Sequence, residues 1–402
     1  MNTTSNSIRP FRIDVAQGEI DDLRARLAGT RWPQELPGVG WSRGVPTSYL
    51  RRIAEYWQGA YDWRAAEERL NELPQFLTEI DGQQLHFAHI RSEEPGARPL
   101  LMVHGWPSSF AEFSRIVGPL TDPVAYGGRA EDAVHLVLPS IPGFGFSPLA
   151  ESGRGDLLRV ASAFAELMTR LGYDRFLAQG TDAGAGIVGL LPMVAPGRVI
   201  ATHVNGPAPA PFGPPLDASA LSGRERERAE AFNAWQQDGT GYLAIQSTRP
   251  QTLSYGLTDS PVAQLAWIIE KFREWTDPAA ELPEDAVDLD DLLTLVSLYW
   301  FGELGWSSAH SLAEGMETFR RFAPSAAEAP TGDEAPAEGG WEMPPMPPAS
   351  VAVFAADMSV RSAVDPYGAV GTWNEYEVGG HFPAMEAPEV LVADIRSAFR
   401  GA

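Results

Sequence analysis

The 402-residue chain contains no cysteine, which excludes disulfides, thiolate metal sites and cysteine nucleophiles. No apolar run approaches the ~18 residues needed to cross a bilayer. The opening MNTTSNSIRPF also lacks the basic-then-apolar pattern of a secretion signal. The expectation is therefore a soluble, cytoplasmic protein. Basic residues are scarce: 30 Lys and Arg stand against 53 Asp and Glu, a formal charge of −23. Such a chain repels phosphate backbones, so nucleic acid is excluded as a partner. Lysine is nearly absent, Lys271 being the single example. Alanine and arginine are abundant, so this scarcity reads as gene base composition and assigns no role.

What is present is an ordinary apolar share, 44%, arranged without internal repeats. Residues 8–75 read as helices joined by Pro and Gly turns, including Ile20–Leu27 and Tyr49–Gln58, with Trp32, Trp41, Trp57 and Trp63 expected to pack this meander onto a larger body. Phe76–Ile80, Asp81-Gly82 and Gln84–Ile90 form a hairpin signal. Strand-like and helix-like segments then alternate. The strands are Leu100–His104, Ala133–Pro139, Phe176–Gln179 and Ile200–Val204; the helices are Ser108–Val117, Leu157–Leu171 and Ile187–Val194. This alternation predicts an α/β fold, a mostly parallel sheet with helices on both faces. Residues 207–322 are largely helical and 323–349 are rich in Pro, Ala and Glu; strands Val351–Phe354 and Trp373–Val378 and the helix Pro388–Phe399 then resume the pattern. The expected division is a meander and hairpin (1–95), a core in two parts (96–206 and 350–402), a helical cap (207–322) and a loop (323–349).

Three stretches carry chemistry. In FLAQGTDAGAGIVGL, Asp182 sits among small residues where a strand meets a helix, the place that presents a nucleophile in G-x-S-x-G corners. The competing role is a plain helix N-cap, but a cap does not require Gly180, Ala183, Gly184, Ala185 and Gly186 around it. In LMVHGWPSSF, His104-Gly105-Trp106-Pro107 follows a buried strand. It is expected to be an oxyanion loop, with N–H groups of Trp106 and Ala183 as donors and Pro107 fixing the chain beyond. In VGGHFPAM, His381 lies on a Gly-rich loop after a late strand, the position of a catalytic base. Its acidic partner should lie between the two, after the preceding strand. Asp357 fits best, with Asp365, Glu375 and Glu377 as competitors and the two glutamates placed inside a strand.

An aspartate is ionised at neutral pH. It can displace a leaving group from a saturated carbon, form an ester, and be released by a histidine-activated water. That chemistry suits epoxides or carbon–halogen bonds and requires no metal or cofactor. An epoxide oxygen needs a proton donor, which Tyr242 of the insertion offers; a halide is best held by an indole beside the nucleophile, where Ala183 stands. Epoxide opening is preferred, with a hydrolytic dehalogenase and a degenerate, binding-only hydrolase as alternatives.

Over nearly its whole length the sequence resembles the microsomal-type epoxide hydrolases of the α/β-hydrolase superfamily. The resemblance rests on TRWP (Thr30–Pro33), GWSRG (Gly40–Gly44), LPQF (Leu73–Phe76), HGWP, PSIPGFGFS (Pro139–Ser147), QSTRP, DSPVAQLAW (Asp259–Trp267) and GGHFPAMEAPE (Gly379–Glu389). It implies an α/β-hydrolase fold with a helical cap and an N-terminal meander. It also implies Asp182 as nucleophile, His381 as base, Asp357 as its acid, and Tyr242 as one of two ring-opening tyrosines. No membrane anchor like that of animal members is expected, so a soluble enzyme similar to bacterial members is implied. Two positions depart from the pattern: Ala183 stands where many members carry a bulky residue, and Leu312 and Ala313 stand where the second tyrosine belongs. His104, Trp106, Pro107, Ala183, Tyr255, His310 and Leu312 are expected to meet the substrate, with Tyr255 or His310 as candidate helpers to Tyr242. The expected partners are a bulky epoxide and water; a homo-oligomer is compatible with the sequence but not indicated by it.

Overall fold

A computed structural model describes residues 7–322 and 346–402. Nine strands form one sheet: β1 Arg9–Phe11, β2 Gln75–Ile80, β3 Gln83–Ile90, β4 Arg98–Val103, β5 Val134–Pro139, β6 Phe176–Thr181, β7 Val199–Asn205, β8 Ala349–Val353 and β9 Thr372–Glu375. Their order is β1-β2-β3-β5-β4-β6-β7-β8-β9. The edge from β1 through β3 to β5 is antiparallel, and every later pairing is parallel. This is the α/β-hydrolase arrangement. Strands flanked by helices on both faces must be apolar throughout, and Leu100–Val103 and Phe176–Ala178 are accordingly fully buried.

Helices cover the faces where the sequence supplies both an apolar stripe and an end signal. Leu157–Arg170 begins at Asp156, whose carboxylate accepts the N–H groups of Leu158 and Arg159, and it buries Val160, Phe164, Leu167 and Met168. Between β7 and β8, which are neighbours in the sheet, the chain leaves for the helices Gly223–Asp238, Gly241–Thr248, Pro250–Asp259, Pro261–Trp275, Leu289–Phe301 and Leu304–Phe322. This excursion stands over the C-terminal ends of the parallel strands, where open α/β sheets bind ligands.

The N-terminal helices Gln17–Ala28, Thr47–Gly59 and Trp63–Leu70 brace that excursion. Trp57 Nε1 donates to Ser297 Oγ at 2.9 Å, the Tyr61 hydroxyl meets Thr294 Oγ1 at 2.9 Å, and Trp63 packs on Phe301. Trp57 and Trp63 are buried and Trp32 and Trp41 partly so, which is the packing role expected of them. Among the described residues no helix is long and apolar enough to cross a membrane.

Several boundaries differ from the sequence expectation. Residues 8–75 include β1, three residues too short for a period-2 signal. The helix expected over Ser108–Val117 is a 3-10 turn, Phe110–Phe113, followed by a helix at Ser114–Thr121. The helix after the elbow starts at Ala183 instead of Ile187 because its first turn is made of small residues without an apolar period. The last strand ends at Glu375, so Glu377 lies beyond it. The expected loop 323–349 falls outside the described residues up to 345, and Ala349 already belongs to β8.

Candidate active site

Asp182 lies at the junction of β6 and the helix Ala183–Val194 with φ +52° and ψ −123°, a conformation that non-glycine residues rarely hold and that clusters at functional sites. It occupies the helix N-cap position, but its side chain makes no cap hydrogen bond. The carboxylate turns instead toward the loop after β4, where Trp106 N–H donates to Oδ1 at 2.9 Å. The small residues have a steric reason: a Cβ on Gly184 would lie 2.1 Å from Val103 O, and one on Gly105 would lie 2.3 Å from Asp182 Cβ. The backbone of the elbow packs on Val103 and His104, and the Asp182 side chain packs on Gly105.

His381 reaches the same carboxylate from the loop after β9. Its Nε2 stands 3.7 Å from Asp182 Oδ2, and the His381 backbone N–H donates to Trp275 O at 2.8 Å. The ring packs against Trp275 and Phe382. Burial lowers its pKa, with the Asp182 charge acting in the opposite direction, so the imidazole is suited to act as a neutral base.

Asp357 follows β8 and lines the same cavity as Asp182 and His381. Its Oδ2 accepts Phe354 N–H at 2.7 Å, and burial pushes its carboxyl up to about 7. Among the described residues Asp182, and not Asp357, is the carboxylate within ion-pair reach of the His381 ring. The competitors are engaged elsewhere: Glu375 pairs with Arg228 at 2.8 Å, Glu377 is exposed and pairs with Arg224, and Asp365 accepts the N–H groups of Ala369 and Val370.

Tyr242, near the start of the helix Gly241–Thr248, stacks on the Trp106 indole (centroids 5.1 Å apart, planes at 11°) and meets Trp275 edge-on at 5.2 Å. Among the described residues its hydroxyl has no protein hydrogen-bond partner. Desolvation first, then the charges of Asp182 and Glu274, raise its pKa well above the ordinary value, keeping it protonated and able to donate. Trp106, Asp182, Ala183, Tyr242, Leu312 and His381 all line one cavity of about 830 Å³, whose surface is mostly apolar.

Four of the expected substrate contacts lie elsewhere. Tyr255 is 70% exposed on the outer face of its helix; helical periodicity did not reveal which side of the cap faces inward. His310 packs against Trp306 and is not part of the cavity lining. Its helix turns Ser311, Leu312, Gly315 and Met316 toward the cavity instead. His104 is fully buried beneath the loop, held to Gly105 O at 3.0 Å and accepting Ile141 N–H at 3.3 Å. Burial lowers its pKa to about 4, so it is a neutral support for the loop His104–Pro107. Pro107 follows a cis peptide from Trp106 and also stays outside the lining.

Other residues near the centre carried no distinct sequence signal. Tyr299 is buried in an apolar helix and donates to Ser108 O at 3.1 Å, fastening the chain just after the His104–Pro107 loop. Glu112 is buried behind that loop, and desolvation raises its carboxyl to about 8. Trp275 contacts Trp106, Tyr242 and His381 at once. Lys271 lies against the Tyr242 ring; its being the only lysine was the one available clue.

Known proteins resemble this chain along most of its length. The family described as epoxide hydrolase N terminus matches residues 8–113, and the alpha/beta hydrolase fold matches residues 98–240. A Stigmatella aurantiaca protein carrying a provisional epoxide hydrolase name is 41% identical over 98% of this chain and 85% of its own. Epoxide hydrolase 1 of Sus scrofa is 32% identical over 97% of this chain and 88% of its own. The crystal structure of juvenile hormone epoxide hydrolase from the silkworm Bombyx mori superposes with a TM-score of 0.82 at 29% identity, covering 98% of this chain and 94% of that one.

Proposed function

The chain belongs to the epoxide hydrolases, and on that premise we propose that Asp182 is the nucleophile, His381 the base that activates water, and Tyr242 the proton donor of ring opening. Membership in this family sets aside the dehalogenase and binding-only readings. The observation that carries the assignment is the division of labour on one carboxylate: Oδ1 is held by the Trp106 N–H and Oδ2 faces His381. Oδ2 attacks an epoxide carbon, the C–O bond breaks, and the freed oxygen takes the Tyr242 proton. Oδ1 becomes the ester carbonyl, already in place for stabilisation by Trp106 N–H when water adds. His381 removes the proton from that water. The acyl C–O bond then breaks and the water's second proton passes to the departing Oδ2, so the diol leaves with Oδ2 and the water oxygen stays in the Asp182 carboxylate.

Asp357 is the acid that best supports His381 in this scheme, being the competitor that shares its cavity. The size and apolar surface of that cavity favour a bulky apolar epoxide giving a vicinal diol. Residues 207–322 serve as the cap that carries Tyr242. The finer placement with the microsomal-type enzymes is part of this proposal and rests on the HGWP, PSIPGFGFS, QSTRP and GGHFPAMEAPE stretches. The test is a single turnover with excess enzyme in ¹⁸O-water: the diol should be unlabelled and the label should sit in the peptide containing Asp182. Label in the diol from that first turnover would mean direct water attack and would remove Asp182 from the nucleophile role.

A further inference from the structure

Every other long cation in this chain is arginine, yet position 271 is lysine. Its side chain is only 3% exposed. Nζ lies 2.7 Å from Glu270 Oε1 and 2.7 Å from Glu274 Oε2, 4.6 Å from the centre of the Tyr242 ring and 5.7 Å from that of Trp275. A compact ammonium with three donors can serve two carboxylates and still rest on an aromatic face; a planar guanidinium fork has different geometry and bulk. The helix Pro261–Trp275 that carries it packs against the N-terminal helices Gln17–Ala28 and Thr47–Gly59. The charge is therefore fixed in place against Tyr242.

Ring opening moves one negative charge. Asp182 loses its charge on becoming an ester, and Tyr242 gains one on giving its proton to the epoxide oxygen. The phenolate then stands where burial and Glu274 both oppose it. Glu270 and Glu274 offset the ammonium, but their side chains are 30% and 42% exposed and so are better screened by water than the buried cation is. Resting on the reading of Tyr242 as proton donor, we infer that Lys271 is a positioning residue for ring opening: its ammonium holds the Tyr242 ring and stabilises the phenolate that forms as the epoxide oxygen is protonated. The proton later taken from water by His381 restores the phenol, which closes the cycle.

A lysine that merely ties its helix together would leave proton transfer untouched, and the test separates the two roles. Single-turnover alkylation of Asp182 by butyloxirane and by perfluorobutyloxirane is followed by intact-protein mass spectrometry at saturating epoxide, with thermal unfolding as the fold control. Lys271→Met should slow alkylation by butyloxirane about tenfold, the effect of losing a desolvated cation–π contact. The perfluorinated epoxide releases a far less basic oxygen, so its penalty should be much smaller. Hydrolysis of the ester should stay within about twofold, and Lys271→Arg should recover part of the loss. In a Tyr242→Phe background Lys271→Met should add nothing. Glu274→Gln, which leaves the ammonium less neutralised, should alkylate a few-fold faster and tests the inference even where Lys271→Met does not fold.

Equal penalties for the two epoxides, a full Lys271→Met effect without Tyr242, or a Glu274→Gln enzyme no faster than wild type would overturn the role of Lys271. Tyr242→Phe that alkylates at the wild-type rate would overturn the donor assignment itself. Slow Tyr242→Phe beside normal Lys271→Met would overturn the lysine's role alone.

Discussion

Tyr242→Phe isolates one hydroxyl. The ring contacts to Trp106 at 5.1 Å, Trp275 at 5.2 Å and Lys271 at 4.6 Å involve the aromatic face or edge and survive in phenylalanine. The hydroxyl has no protein partner among the described residues, so its removal strands no buried group. Stability should change by less than about 0.5 kcal/mol, as at sites without special contacts. The kinetic cost is different. Removing one positioned donor to a developing oxyanion costs about 3 kcal/mol, or roughly a hundredfold in the ring-opening rate. Leu312 faces the same cavity and has no polar atom to substitute. Tyr299, the other buried tyrosine nearby, already donates to Ser108 O. The loss should therefore appear in full as slow alkylation of Asp182 in a single turnover, with an unchanged melting temperature. A variant that alkylates within a few-fold of wild type would place the proton donor elsewhere.

His381→Gln should form the ester and fail to hydrolyse it, so intact-protein mass spectrometry should find the enzyme heavier by one substrate; an inactive, adduct-free variant that unfolds normally would refute the base assignment. Asp357 ionises near 7 because burial disfavours its charge. Only the ionised form can stabilise the imidazolium, so ester hydrolysis should rise with pH through that region, and Asp357→Asn should be slower and flat there. Tyr299→Phe should leave Ser108 O without its donor and cost about 1–3 kcal/mol in denaturant unfolding, in contrast to Tyr242→Phe. Glu112 is raised from an ordinary 4.5 to about 8 by burial, so the native state retains a proton there that the unfolded chain has released. Its contribution to stability is complete below about 4.5 and falls away as pH rises to about 8. Glu112→Gln should flatten that part of the stability–pH curve, and an unchanged slope would show that Glu112 is ionised in the native protein.

Local physics was legible in the sequence. The strand-loop-helix corner at Asp182 could be read because small residues on both sides report close backbone approach, and the approach occurs at Gly105 and Gly184. The loop His104–Pro107 and the glycines before His381 likewise mark where a strand ends and a backbone must turn, a constraint that acts over a few residues. The parallel sheet followed from apolar runs alternating with helical periods. The short strand β1 and the small-residue first turn at Ala183 escaped because neither is long or apolar enough to show a period.

Tertiary structure decided what faces what. Tyr242 and Tyr255 both lie on cap helices in polar surroundings, and only the packing of those helices turns one into the cavity and the other to solvent. His104 has the sequence context of a substrate contact, but β4 carries it beneath the loop into a site that keeps it neutral. Asp357 and Asp365 follow β8, Glu375 ends β9 and Glu377 lies just beyond it, and of the four it is Asp357 that the fold places on the cavity wall. Lys271 and Trp275 meet Tyr242 across two helices of the cap, Pro261–Trp275 and Gly241–Thr248. Periodicity can assign a residue to a helix face, but the partner across that face depends on long-range packing, which no local pattern encodes.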